Sequence, residues 1–233
     1  MDRLVMPSPE VLATLLAVGT ALSLDSVTVG QGMLSRPLVG AVLAGWVCGA
    51  LWPATVAGVF LEAIALETLP VGASRYPDWA PAGIVAGTIA ATVTPFAPAF
   101  VLALVGGLVT GWVGGQSMVV LRHANGRRIA RARESLDDGV PGTAGRLLAL
   151  GIATDAVRGA LVVAAGLALV PLSALVAARW TTDATTTVAF GAVSAMMVAG
   201  SATRQMFHGA ARARVLFVAA LAVGTLLAWG RWA

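Results

Sequence analysis

Residues 79–121, WAPAGIVAGTIAATVTPFAPAFVLALVGGLVTGWVGGQSMVVL, contain no Asp, Glu, Lys or Arg. A helix needs roughly 20 apolar residues to cross the hydrocarbon core of a bilayer, so this run can hold two crossings. Proline lacks the N–H that a helix interior requires, which places the break between them at Thr94-Pro95-Phe96-Ala97-Pro98. Residues 38–61, 159–178 and 184–203 are also free of those four residue types, and each can hold one crossing. Lipid offers no partner for backbone N–H and C=O groups, so the crossings must be helices or a closed barrel. Continuous apolar runs without a period of two select helices.

The composition agrees. Of 233 residues, 58% are hydrophobic and 11% charged, and the mean hydropathy is +0.86. A soluble domain carries about 25% charged residues, so this chain lacks the polar surface to cover itself in water. Every basic residue is Arg; Lys is absent. The formal charge of +4 does not point to nucleic acid, because the excess sits beside apolar helices, where the positive-inside rule expects it. The single cysteine, Cys48, lies in an apolar run and reads as helix packing. The N-terminal stretch shows no convincing small-residue cleavage site, so the first apolar run reads as retained.

Along the chain, residues 11–24 are apolar but short for a span, and Asp25 interrupts them. The Gly-containing SVTVGQGMLS that follows suits a helix that enters the membrane and breaks. Helix resumes over 38–51, and Pro53 is expected to start or kink the next one, over about 54–69, which carries Glu62 and Glu67. Residues 122–146, RHANGRRIARARESLDDGVPGTAGR, hold six Arg against three acids and read as a cytoplasmic basic loop. Two spans follow, 147–178 with Pro171 as its expected break, and 184–203, before a second Arg-bearing loop at 204–214. Two crossings between the loops return the chain to one side, so both can be cytoplasmic. A last apolar run, 215–230, would end outside or partway through. The expectation is a single all-α integral membrane domain over 1–233, a polytopic helical bundle with broken or re-entrant helices.

Ionisable groups inside a membrane usually face the bundle interior, a partner or a water-filled cavity. Asp25, Arg36, Glu62, Glu67, Arg75 and Asp78 cluster between 25 and 78 among prolines and glycines. Broken helices in transporters expose backbone groups and helix ends near the midplane, and carboxylates accept charge-assisted hydrogen bonds from hydroxyls. Competing readings weigh on each. Arg36 before Pro37 can snorkel, Asp25 can cap a helix, and Asp78 after Pro77 can serve a turn. Glu67 lies about 140° around a helix from Glu62 and so faces elsewhere, a partner subunit or headgroups. His123 and His208 fall in Arg-rich loops and read as solvated. No metal-ligand spacing, phosphate-binding glycine loop or nucleophile triad is present in the sequence, and no cofactor is expected.

The pieces LDSVTVGQGMLSRPLVGAVLAGWVCG, AGVFLEAIAL, PVGASRYPDWA and GIVAGTIAA follow one another over residues 25–90. In that order they resemble the membrane component C (IIC) of the mannose/fructose/sorbose family of phosphotransferase systems. The resemblance implies a sugar permease subunit of the bacterial cytoplasmic (inner) membrane. It would work with a homologous membrane component D and with phosphoryl-carrying components A and B, as an oligomer. A hexose-like sugar would bind in the membrane, move by an elevator-like motion and be phosphorylated by the partner, so the chain itself would not be an enzyme. Carried onto matching positions, the resemblance implies sugar contacts at Glu62, then Asp78 and the backbone of Gly72 and Ala73, with Gln31 also in the set. Asp25, Arg36, Glu67 and Arg75 would be structural or gating charges. Pro70 stands where family members often carry a polar residue, Glu67 where a small one is common, and the family usually continues beyond the last apolar run.

Two further classes compete. A non-transporting membrane scaffold or regulatory subunit of an incomplete system would dock partners through Arg127, Arg128, Arg131 and Arg133. A membrane enzyme acting on lipid-linked substrates would need a catalytic constellation at the headgroups, for which there is no motif.

Overall fold

A computed structural model describes residues 7–26, 28–66 and 75–180, together with scattered positions from 183 to 200. Glu67, Gly72, Ala73, His208 and the second basic loop at 204–214 lie outside the described residues, as does the run 215–230.

The helix ends follow from local chemistry. Helix α1 (Pro9–Asp25) starts with proline in its first turn, where a missing N–H costs nothing, and the Ser8 hydroxyl accepts from Val11 N at 3.3 Å. Asp25 ends it, and an irregular stretch with positive φ at Gly30, Gln31 and Met33 leads to helix α2 (Pro37–Val47). Gly49, at φ 73°, closes α2, with Ala50 N donating to Gly45 O at 2.9 Å. Helix α3 (Leu51–Ala65) follows directly. Pro53 therefore sits inside its first turn, close to the expected start, and the helix ends at Ala65, short of the expected position near 69.

Helix α4 (Trp79–Thr92) is buried on every side, as expected of a helix apolar all round. It packs against α2, α3 and α1, and against α5 (Phe96–Arg131), α7 (Thr143–Leu167) and α8 (Leu169–Arg179). Ile84, Val85 and Ile89 of α4 meet Leu15 of α1, Leu61 of α3 and Val163 of α7 in a core without solvent exposure. Close approach requires small residues: a Cβ on Gly83 would overlap the backbone of Pro37, so α2 crosses α4 backbone to backbone there. The break between α4 and α5 falls at the expected prolines, across a cis Thr94–Pro95 bond. The break between α7 and α8 falls at Ala168, within one turn of Pro171, which cannot donate to Leu167.

Length divides these helices into two kinds. Helices α2, α3 and α4 hold 11, 15 and 14 residues, at about 1.5 Å per residue too short for a hydrocarbon core of about 30 Å. Among the described residues, α5 and the α7–α8 pair are long and apolar enough to cross. Trp112, Val105, Leu108 and Val109 of α5 face outward while Gly107, Gly111 and Gly114 face the core, the pattern of a helix with lipid on one side.

The expected loop at 122–146 is corrected. The basic stretch 122–146 is largely helix, not loop: α5 continues unbroken to Arg131, and a short α6 (Arg133–Asp137) precedes α7. Arg and Ala are good helix formers, and no proline interrupts 122–131. The chain is an all-α membrane bundle.

Candidate functional site

The interrupted ends of α1, α2 and α4 converge on one cavity of about 240 Å³. Asp25, Gln31, Ser35, Arg36, Tyr76 and Asp78 line it. From the irregular segment 28–36, Gln31, Met33, Ser35 and Arg36 line the cavity, while residues 29–34 are exposed. Asp25 organises it: its carboxylate accepts from Gly32 N at 2.7 Å and from Ser35 N at 3.0 Å. A carboxylate that would otherwise be expensive at the end of α1 thus folds the loop beneath it.

Glu62 has a comparable role one helix away. Arg36 Nε donates to Glu62 Oε1 at 2.6 Å, and the amide of Leu38 donates to Oε2 at 3.3 Å. The carboxylate lies at the N-terminus of α2, where orphan N–H groups favour a negative charge. Arg36 reaches the cavity wall but Glu62 does not. Arg36 is paired, not snorkelling, with only 15% of its side chain exposed.

Asp78 is held from the opposite side. Arg158 Nη1 donates to Asp78 Oδ2 at 2.8 Å, and Arg158 Nε to Asp155 Oδ1 at 2.8 Å. Thr28 donates its hydroxyl to the other oxygen of Asp155. All three charged side chains are almost fully buried, exposed by 2%, 7% and 1% for Asp78, Arg158 and Asp155. Buried charge persists only where it is paired and hydrogen-bonded, and here one guanidinium joins α4, α7 and, through Asp155, the loop at Thr28. The extended residues 76–78 reach this position along the glycine face of α5. Asp78 N donates to Gly111 O at 2.8 Å, and a Cβ on Gly115 would overlap Tyr76 O. Arg122, in turn, donates to the Tyr76 hydroxyl at 2.7 Å and lies over its ring.

Of the residues expected at a site, Asp25, Gln31, Arg36 and Asp78 thus come together around one cavity, while Glu62 stands behind Arg36. Arg75 is exposed, and His123 lies on α5 with Nδ1 2.8 Å from Val119 O. A reading centred on 25–78 leaves out Asp155 and Arg158. The signal for them is two opposite charges three residues apart in the otherwise uncharged span 147–178, a spacing that puts both on one helical face.

No family model matches the chain, and no curated protein matches it. Solved structures do. A structure described only as a membrane protein superposes with a TM-score of 0.69 at 19% identity, covering 96% of this chain and 95% of that one. A chain of the cryo-EM structure of the mannose transporter ManYZ in complex with microcin E492 (MceA) superposes with a TM-score of 0.58 at 18% identity, covering 95% and 94%. The chain shares their fold. The correspondence runs through nearly the whole length of each chain, so it extends well beyond the motifs at 25–90.

Proposed function

We propose that this chain is the sugar-translocating C subunit of a phosphoenolpyruvate-dependent mannose-family phosphotransferase system. The observation that carries this reading is the cavity that Asp25, Gln31, Ser35, Arg36 and Asp78 line at the convergence of three broken helix ends, within a fold common to a mannose transporter chain. The cavity, about 240 Å³, is below the about 300–1,000 Å³ typical of sites for drug-sized ligands and suits one small polyol. On this reading Gln31 and Arg36 present hydrogen-bonding groups to hydroxyls, and Ser35 adds a third. Glu62 is a positioning residue that holds Arg36, and Asp25 holds the loop bearing Gln31. Phosphoryl transfer belongs to the partner components, with component D completing the membrane complex.

Reconstitution with components A, B and D should give hexose uptake coupled to phosphorylation. Gln31→Ala should weaken sugar binding about 3- to 10-fold, the loss of one neutral hydrogen bond. Glu62→Gln should weaken it through Arg36. Uptake with both variants unaffected would remove the site assignment. Intact partner binding without uptake of any hexose would place the chain with non-transporting scaffold subunits instead.

A further inference from the structure

A second cavity, of about 480 Å³, lies between α5, α6 and the start of α7, with Asp155 in its wall. Its walls are mostly aliphatic, with Leu121, Ile129, Leu147 and Ile152 among them, and its polar members are Thr28, Asn125, Arg128 and Asp155. The position along α5 is informative. The uncharged run ends at Leu121 and the basic run begins at Arg122, so the cavity straddles the level where hydrocarbon gives way to headgroups. Leu148 and Ile129 are exposed at its margin.

Arg128 is built into this cavity. Its Nη1 donates to Asn125 Oδ1 at 2.9 Å and to Thr154 Oγ1 at 3.2 Å. Both described bonds use one nitrogen, so the fork is oriented while Nε and Nη2 remain for a ligand. The acid in the cavity does not oppose an anion strongly, because Arg158 and Thr28 hold the two oxygens of Asp155. The surrounding stretch 122–146 carries six Arg against three acids. The exposed Arg133 pairs with Asp137 on α6, whereas Arg127, Arg131 and Arg146 extend the positive field.

We propose that this cavity is a binding site for an anionic phospholipid, its phosphate on Arg128 and an acyl chain along the aliphatic wall. Basic pockets between helices at a membrane surface recognise lipid headgroups in this way, and an Arg fork pairs with phosphate in a bidentate manner. Charge complementarity supplies the headgroup contact, and the aliphatic lining supplies the reason for a lipid instead of a free anion. The proposal is independent of sugar transport.

The test is lipid retention by the purified full-length protein, read by native mass spectrometry after exchange into detergent with added phosphatidylglycerol or phosphatidylcholine. Phosphatidylglycerol should be retained at least about 5-fold over phosphatidylcholine, a margin of about 1 kcal/mol. Arg128→Gln should abolish the preference, and so should Ile152→Trp, which fills the cavity and keeps every charge. Inorganic phosphate at millimolar concentration should not compete. A preference that survives Ile152→Trp would reduce the effect to surface charge and overturn the proposal. Displacement by phosphate alone would overturn it too, in favour of a free-anion site. Loss of the lipid on adding component D would do so as well, by making the groove a protein interface. Melting curves of both variants within a few degrees of wild type show that the losses are local.

Discussion

Removing the Arg158 guanidinium should destabilise the protein more than any other single side-chain deletion in its polar interior. Arg158 makes two charged hydrogen bonds of 2.8 Å, to Asp78 and Asp155, with a further contact to Ser117 Oγ at 3.2 Å. Arg158→Met keeps an unbranched apolar stem and strands two carboxylates, both at least 98% buried. Breaking a buried pair by deleting one partner costs about 3–5 kcal/mol, because the remaining charge is left without compensation. In a chain of this size about 1 kcal/mol corresponds to about 2–4 °C in melting temperature, so the loss should be about 6–20 °C. Thermal unfolding in a fixed detergent, followed by circular dichroism at 222 nm, measures it. The triple variant Asp78→Asn, Asp155→Asn, Arg158→Met removes the stranded charges and should recover at least half of the loss. A single variant as stable as the wild type would refute the reasoning, as would a triple variant no better than the single.

Four other outcomes follow from the packing and the hydrogen bonds. Gly115→Val should cost at least about 1–3 kcal/mol, the range for overpacking, because its Cβ meets the backbone of Tyr76. Gly126→Ala should instead raise the melting temperature slightly, as its Cβ meets nothing within 4 Å and Ala gains up to about 1 kcal/mol over Gly in a helix. Asp25→Ala removes two charge-assisted hydrogen bonds, from the amides of Gly32 and Ser35, worth about 1.5–3 kcal/mol each, a loss visible as faster hydrogen exchange confined to the segment 28–36. In a double-mutant cycle, Arg36→Gln and Glu62→Gln should couple by about 0.5–3 kcal/mol; strictly additive effects would show that the pair seen between α2 and α3 has no energetic consequence.

Much of the architecture was legible because its causes are local. Pro95 and Pro171 stop or bend helices through their own backbone chemistry, so the breaks between α4 and α5 and between α7 and α8 fall near where the residues demand, whereas α2 ends at Val47, before Gly49, and not at 51 as expected. The reading of 122–146 as a loop failed for the opposite reason. Charge marks where a segment leaves the lipid, but it does not end a helix, and α5 carries its Arg residues outward as helix. Pro53 marks the start of α3 as expected, because a first-turn proline gives up no helical hydrogen bond.

Membrane residence is a property of the sequence alone, because scarcity of charge and length of apolar run decide the solvent for a chain before any contact forms. The uncharged run 79–121 allowed two crossings, but its first helix, α4, is short and buried on every side, which only the packing around it decides. Which carboxylates face a ligand and which hold the fold is decided only by tertiary structure. Asp78 and Glu62 look alike as acids among apolar neighbours. Asp78 meets a guanidinium 80 positions away, and Glu62 meets one 26 positions away behind the cavity wall. The physical reason is that the cost of a buried charge is settled by its partner, and the partner is set by helix crossings that no local pattern encodes.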